Sequence, residues 1–441
     1  MTLVQRMEAL LVQGNGSDLV LRVHSGPDQV KVIQAHSLVL SLHSPVFQEL
    51  LQNGSAPNST GSSTTLLLTE TPDCAALFHK FIRYLYCGEI SVRLDQAVPL
   101  HKLASRYGVQ GLQQGVSLYM QKHLASDSPS GHAVSWYHYA TQAGDTDLQH
   151  SCLHFLSWNL SAVLQSREWP AVSIPLLMDL LQRSDLVLHS ELELFQALEV
   201  WIQRNQPDGL AAENALRAVR YAMIPPQTLF RLQRQSPTLS RYHQSVRDLL
   251  YMSYQFHSAS PLQLAKYFNI NCSLFTPRNY LSPGWGSPWV IPNPTRDDRS
   301  ASFHTQLGPS GHDAGKRVGW NALFSPRWLP LGSAVPGGRG QGAGPEVAAG
   351  AGHPRVIVTP ASSGADMAGV SFQKTVLVMA RQQSAVVVRH VFNFHQSTEE
   401  TGHFLSHADL QRRASEYLID GSLHLHVIIK PLYHSLILAT K

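Results

Sequence analysis

Ala35-His36-Ser37-Leu38-Val39-Leu40, with Ser44-Pro45-Val46-Phe47 close behind it, is where this chain changes from one structural period to another. Up to His36 the pattern is of short β-branched runs, Asp18 to His24 and Val30 to His36, separated by Ser25-Gly26-Pro27-Asp28, a turn whose proline is placed to start it. They read as a hairpin. From Leu38 to Leu51 the apolar residues fall instead at helical spacing and end in Asn53-Gly54. Outward from there, a polar loop to Ser63 leads into a predicted strand, Thr64 to Thr69. A helix over Ala75 to Tyr86 then gathers Leu77, Phe78, Phe81, Ile82, Leu85 and Tyr86 on one face, and Gly88 stops it. A short strand at Ile90 to Val92 and helices over Gln96 to Tyr107 and Leu112 to Leu124 complete the unit. Strands gathered early and helices late predict an α+β domain over residues 14–125.

Residues 130–256 read as all-α, with helices at Trp136 to Ala143, Leu148 to Leu164, Pro175 to Gln182, Glu191 to Arg204, Ala211 to Met223 and Val246 to Tyr254. Asp185 and Ser190 cap apolar-periodic runs, and Pro225-Pro226 starts another short segment. Beyond Ser260 the texture turns to proline, glycine and aromatics, then to β-rich runs at Arg355 to Thr359, Val370 to Ala380, Ala385 to Phe394 and Leu423 to Lys430. This predicts a β-sandwich over 262–441, with a flexible Gly/Ala-rich insertion at 331–352.

The blocks Gly16-Ser17-Asp18-Leu19-Val20, Ala35 to Leu40, Ser44 to Phe47, Tyr84-Leu85-Tyr86-Cys87-Gly88 and Leu103-Ala104-Ser105-Arg106-Tyr107-Gly108-Val109, in that order, resemble the BTB/POZ domain. Trp136-Tyr137-His138-Tyr139-Ala140, Cys152-Leu153-His154-Phe155-Leu156 and Leu194 to Trp201 resemble helix pairs of the BACK domain. Phe404 to Leu410 and Ser415 to Leu425 are similar to the end of TRAF-like sandwiches, with Gly319 to Phe324 as an earlier strand. The resemblance implies a homodimer or higher oligomer formed through the BTB domain, with Asp18, Leu38 and Leu42 as dimer-interface candidates. Asp18 also reads as a plain strand-start cap beside Ser17. Two departures qualify the analogy. The residue after His36 is commonly basic in the family and here is Ser37. Cullin adaptors that join BTB to BACK present an apolar-x-Glu element where this chain has Gln52 to Thr65, without a carboxylate.

The charge balance is +4, from 34 basic and 30 acidic side chains, and the basic residues are scattered, so nucleic acid is not an expected partner. No run of apolar residues is long enough for a spanning helix, and Met1 to Val12 lacks the apolar middle of a secretory signal. Glycosylation sequons point the other way. Asn15, Asn53, Asn58, Asn159 and Asn271 each begin one, where about 1.7 are expected by chance from twelve asparagines. Cys74 and Cys87 bracket one helix roughly 20 Å long and cannot bridge each other.

No cofactor or metal is expected. His150 and His154 share a helix face, but no glutamate lies between them and no third ligand is near in sequence. His424 and His426 share a strand face, as ordinary sheet pairs do. No nucleophile elbow is present, and Gly340-Gln341-Gly342 lacks the strand and Lys-Ser/Thr of a phosphate loop. The sequence therefore reads as a non-enzymatic interaction scaffold. Its similarity to the branch that contains galectin-3-binding protein implies a secreted glycoprotein, with partners that include lectins through glycans. The alternative is a cytoplasmic substrate adaptor for a cullin ubiquitin ligase.

Overall fold

The computed structural model describes residues 2–26, 29–53, 64–125, 131–326, 354–361, 370–394, 404–412 and 415–433. The chain divides into two compact units, 1–124 with 136–152, and 125–135 with 153–441.

The first unit runs α1 (Leu3–Gln13), β1 (Leu19–His24), β2 (Val30–Ala35), α2 (Ser37–His43), α3 (Pro45–Asn53), β3 (Thr64–Thr69), α4 (Pro72–Cys87), α5 (Leu94–Arg106) and α6 (Gln110–Lys122). It takes in most of α7 (Ala133–Ala143) and the start of α8 (Thr146–Trp158). The sheet order is β2-β1-β3, with β1 antiparallel to β2 and parallel to β3. Alternation puts Leu19, Leu21, Val23, Ile33, Ala35, Leu66 and Leu68 on its buried face.

The single helix expected over Leu38 to Leu51 is two helices, because Pro45 has no N–H to continue α2 and holds Ser44 extended, at φ −139° and ψ 114°. The break serves the core. Ser44 Oγ donates to the Tyr107 carbonyl at 2.6 Å, and Phe47 stacks on the Tyr107 ring at 4.7 Å. Gly108, at φ +68°, lies under Pro45, where a Cβ would stand 2.8 Å from the proline ring. Ile90 to Val92 is not a strand; the segment only links Gly88 to α5. Asn53 is the last residue of α3 rather than a loop residue.

A buried polar group holds α5, α6, α7 and α8 together. His101, fully buried, has Nδ1 2.7 Å from the Tyr139 hydroxyl, while Asp145 receives the Ser117 hydroxyl at 2.8 Å and faces His101 Nε2 at 3.4 Å. Burial outweighs the nearby Asp145 and keeps the imidazole pKa below its ordinary value.

The second unit continues with α9 (Leu160–Leu164), α10 (Ile174–Gln182), β4 (Val187–Leu188), α11 (Glu191–Asn205), α12 (Gly209–Arg217), α13 (Pro226–Gln235), α14 (Pro237–Arg241), α15 (His243–Ser258) and α16 (Pro261–Leu264). The helix expected from Leu148 to Leu164 breaks at Asn159, between α8 and α9.

Strands follow: β5 (Asn279–Tyr280), β6 (Gly286–Pro292), β7 (Arg299–Gln306), β8 (Arg317–Ser325), β9 (Arg355–Pro360), β10 (Val370–Gln382) and β11 (Ala385–Asn393). After α17 (His407–Gln411) come β12 (Leu418–Ile419) and β13 (Ser422–Tyr433). One sheet runs β11-β10-β13-β12 with β6 on the other edge of β13; the second is β7-β8-β9. They enclose a core that includes Trp289, Ile291, Trp320, Phe324, Val356 and Val427. The insertion expected at 331–352 lies outside the described residues.

Candidate interaction surface

Helix α2 begins where β2 ends, and its sequence supplies only a narrow buried stripe. Leu40 is fully buried, whereas Leu38 and Leu42, one turn apart, are 76% and 75% exposed. Val12 on α1 is 72% exposed and Leu3 75%. The end of α1 meets the start of α2 at His36, whose Nε2 lies 3.0 Å from the Asn15 carbonyl and whose Nδ1 lies 2.9 Å from the Tyr86 hydroxyl. Among the described residues little covers these large apolar side chains, and exposed apolar groups of this size are candidates for contact with another molecule.

Asp18 sits beside these leucines and is engaged by its own chain. The Ser37 N–H donates to Asp18 Oδ1 at 2.8 Å, and the Ser37 hydroxyl donates to Oδ2. Partial burial alone would raise the carboxyl pKa, but these two bonds bring it below the ordinary value. The residue that replaces the family's basic side chain is thus the one that satisfies the aspartate. Asp18 acts as a cap on the first turn of α2, whose N-cap His36 makes no side-chain capping bond.

The sequon asparagines separate into two kinds. Asn15 and Asn53 are exposed, and the Asn15 amide donates only to Gln13 at 3.1 Å. Asn159 is spent: its Nδ2 donates to the Phe155 and Val388 carbonyls at 3.2 and 3.1 Å, and its Oδ1 accepts the Val388 N–H at 2.8 Å. Asn271 Nδ2 donates to the Tyr433 carbonyl at 2.8 Å. A glycan on either nitrogen would displace bonds that tie the α8–α9 junction to β11 and the turn after α16 to β13. Asn58 lies outside the described residues.

A buried ionic cluster in the second unit had no signal in the sequence. Glu191, the first residue of α11, and Arg278, just before β5, are both without solvent exposure at the side chain and pair at 3.2 Å. Glu191 also accepts the Arg220 N–H at 2.8 Å and the Tyr280 hydroxyl at 2.7 Å. Arg278 Nη2 donates to the Leu181 and Ala218 carbonyls at 2.8 and 3.1 Å, and Nη1 donates to the Arg183 carbonyl. Burial, then the neighbouring Arg278, lower the Arg220 pKa to about 10. Lys430 Nζ donates to Asn279 Oδ1 at 2.9 Å, its pKa brought down to about 8 by burial and then by Arg220. The cluster surrounds the parallel pairing of β4 with β5 and joins the helices to the sandwich.

Among the described residues, no group of three or more His, Cys, Asp or Glu side chains is placed to hold a metal ion. His154 stacks on Trp158 at 5.2 Å. His426 is buried, its Nε2 without a hydrogen-bond partner, and burial followed by the neighbouring His189 takes its pKa down to about 4.

A three-stranded sheet under helices, a helical array and a two-sheet sandwich define a multidomain protein of BTB, BACK and TRAF-like modules. The BTB/POZ domain family matches residues 7–124, BACK (BTB And C-terminal Kelch) residues 133–234, and the BTBD17 TRAF domain residues 275–433. These are interaction modules, and no catalytic family is indicated. The chain is 59% identical to human BTB/POZ domain-containing protein 17 over 449 residues, covering 99% of this chain and 90% of that protein. It is 56% identical to the Xenopus tropicalis protein of that name, covering 99% and 92%. The chain belongs to the BTB/POZ domain-containing protein 17 family. Bovine galectin-3-binding protein is 30% identical over 324 residues, 73% of this chain and 56% of that one.

Proposed function

We propose that this scaffold is a secreted glycoprotein that self-associates through α2 of its BTB domain and presents its sandwich and glycans to other proteins. The observation that carries the self-association is the pair Leu38 and Leu42, exposed one turn apart on a helix whose third leucine is fully buried. Burying two such side chains against a second copy would contribute about 3–6 kcal/mol, enough to decide between monomer and dimer. Secretion and glycosylation draw support from exposed Asn15 and Asn53 and from the similarity to galectin-3-binding protein, whose name makes lectins candidate partners.

Two measurements test this. Light scattering of the purified full chain should give a dimer or larger species, and the double variant Leu38→Asp, Leu42→Asp should run as a monomer; an unchanged mass would remove α2 from the interface. Peptide N-glycosidase treatment of protein expressed behind a secretory signal should lower its mass, and Asn53→Gln should abolish part of that loss.

The competing reading, a cytoplasmic cullin adaptor, draws on one observation: none of the four cysteines is in a disulfide, and Cys74, Cys87 and Cys152 are buried. Recovery of a cullin with the untreated protein, without any mass change on glycosidase treatment, would favour it.

A further inference from the structure

Between Asn214 and Arg247 the chain carries six arginines and not one carboxylate. Arg217 is paired with Asp248 at 2.9 Å, and Arg220 belongs to the buried cluster. The remaining four, Arg231 and Arg234 on α13, Arg241 on α14 and Arg247 on α15, are exposed, and none is in an ion pair among the described residues. Arg231 bonds only to the Thr228 hydroxyl at 3.3 Å, and Arg241 lies over the Tyr242 ring at 5.4 Å.

Helix α14 and the end of α11 border a cleft of about 600 Å³, lined by Ile202, Gln203, Gln206, Pro237, Arg241 and Tyr242 among others. Gln206 ends α11 at φ 44° and ψ 54°, a left-handed conformation that a residue with a side chain adopts under strain. The cleft thus combines an unpaired guanidinium, two primary amides and apolar walls from proline, isoleucine and tyrosine.

We propose that this cleft docks an acidic peptide segment of a partner protein. The guanidinium fork of Arg241 pairs in bidentate fashion with a carboxylate, and the exposed arginines of α13 and α15 make this stretch of chain positively charged without a compensating carboxylate. Gln203 and Gln206 offer both a donor and an acceptor, which matches a peptide backbone. The apolar walls seat side chains, a feature that a bare polyanion would leave unused. None of the cleft's residues lies in the first unit, which carries α2.

Fluorescence anisotropy of the full chain tests it, with a fluorescein-labelled octapeptide alternating glutamate with leucine and proline as the probe and its lysine counterpart as the control. The acidic peptide is expected to bind saturably and the lysine peptide not at all. Arg241→Gln should weaken binding by about tenfold. Gln203→Trp, which fills the cleft without altering charge, should abolish binding, while both variants keep the parent's melting temperature. Undiminished binding to Gln203→Trp would overturn the proposal, since the arginines would then act as a diffuse surface. It would also be overturned by an absence of saturable binding, or by a heparin octasaccharide that binds more tightly than the peptide and ignores Gln203→Trp.

Discussion

The α2 surface and the Glu191–Arg278 cluster break opposite rules of burial. The first leaves leucines in water; the second takes two charges wholly out of it. In the cluster every charged group has its partners within the unit: Glu191 meets a guanidinium, a phenol and a backbone N–H, and Arg278 spends its other nitrogens on carbonyls. On α2 the polar groups are equally satisfied, Asp18 by Ser37 and His36 by Tyr86, yet the apolar ones are not. An interface completed inside one chain is therefore marked by charges that are buried and fully bonded. The proposed contact surface is marked instead by apolar side chains that the described residues leave open.

The largest effect that could break this contrast is Glu191→Ala. It strands Arg278 in the interior and leaves the Tyr280 hydroxyl without its acceptor, so unfolding should become easier by about 3–5 kcal/mol. A denaturant midpoint close to the parent's would mean the charges are less dry than their burial indicates.

Next in size is the response to acid. His426 is neutral in the folded state, with a pKa of about 4 against an unfolded value near 6.5. Between those limits the unfolded chain binds more protons, so stability must fall as pH drops from about 6.5 to 4. The contribution is about 3.4 kcal/mol at most. Burial lowers the pKa of His101, His257 and His390 as well, so the same sign applies to each. His426→Leu should flatten the pH profile of the unfolding midpoint, and an unaltered slope would assign the acid sensitivity elsewhere.

Smaller again is the difference between two sequons. Asn159→Ala leaves the Val388 N–H without its acceptor and should lower stability by about 1–2 kcal/mol, with no change in glycan mass. Asn53→Ala, at an exposed helix end, should do the reverse, with glycan mass lost and stability kept. Mass spectrometry and thermal melts on the two variants give four readings, and a glycan on Asn159 would contradict the bonded geometry.

What the sequence yielded, and what it withheld, follows from range. The hairpin, the late helices and strands such as Gly319 to Phe324 depend on local period and were legible. Leu38 and Leu42 came to notice only through the resemblance that makes them interface candidates; their exposure is read from the structure. The break at Ser44-Pro45 was readable from the proline but was overridden by an apolar pattern that continues across it. β6 was hidden by Pro288 and Pro292, tolerated because the strand lies on a sheet edge, and β7 by its polar alternation. Glu191 and Arg278 could not be matched at all: they are 87 residues apart, and each alone looks like an ordinary surface charge. The same distance effect hid the role of Asn159, which meets its partner 229 residues later.

The smallest expected effect sharpens the comparison most. Introducing Leu38→Asp with Leu42→Asp should leave the unfolding midpoint of the first unit within about 0.5 kcal/mol of the parent under conditions where both are monomeric, because those side chains touch little of their own chain. The same pair should abolish self-association, so one double variant separates folding from assembly. Measured at low protein concentration, a clear loss of monomer stability would show that the leucines pack within their own unit. The contrast with Glu191, where the whole cost of substitution falls on folding, would then disappear.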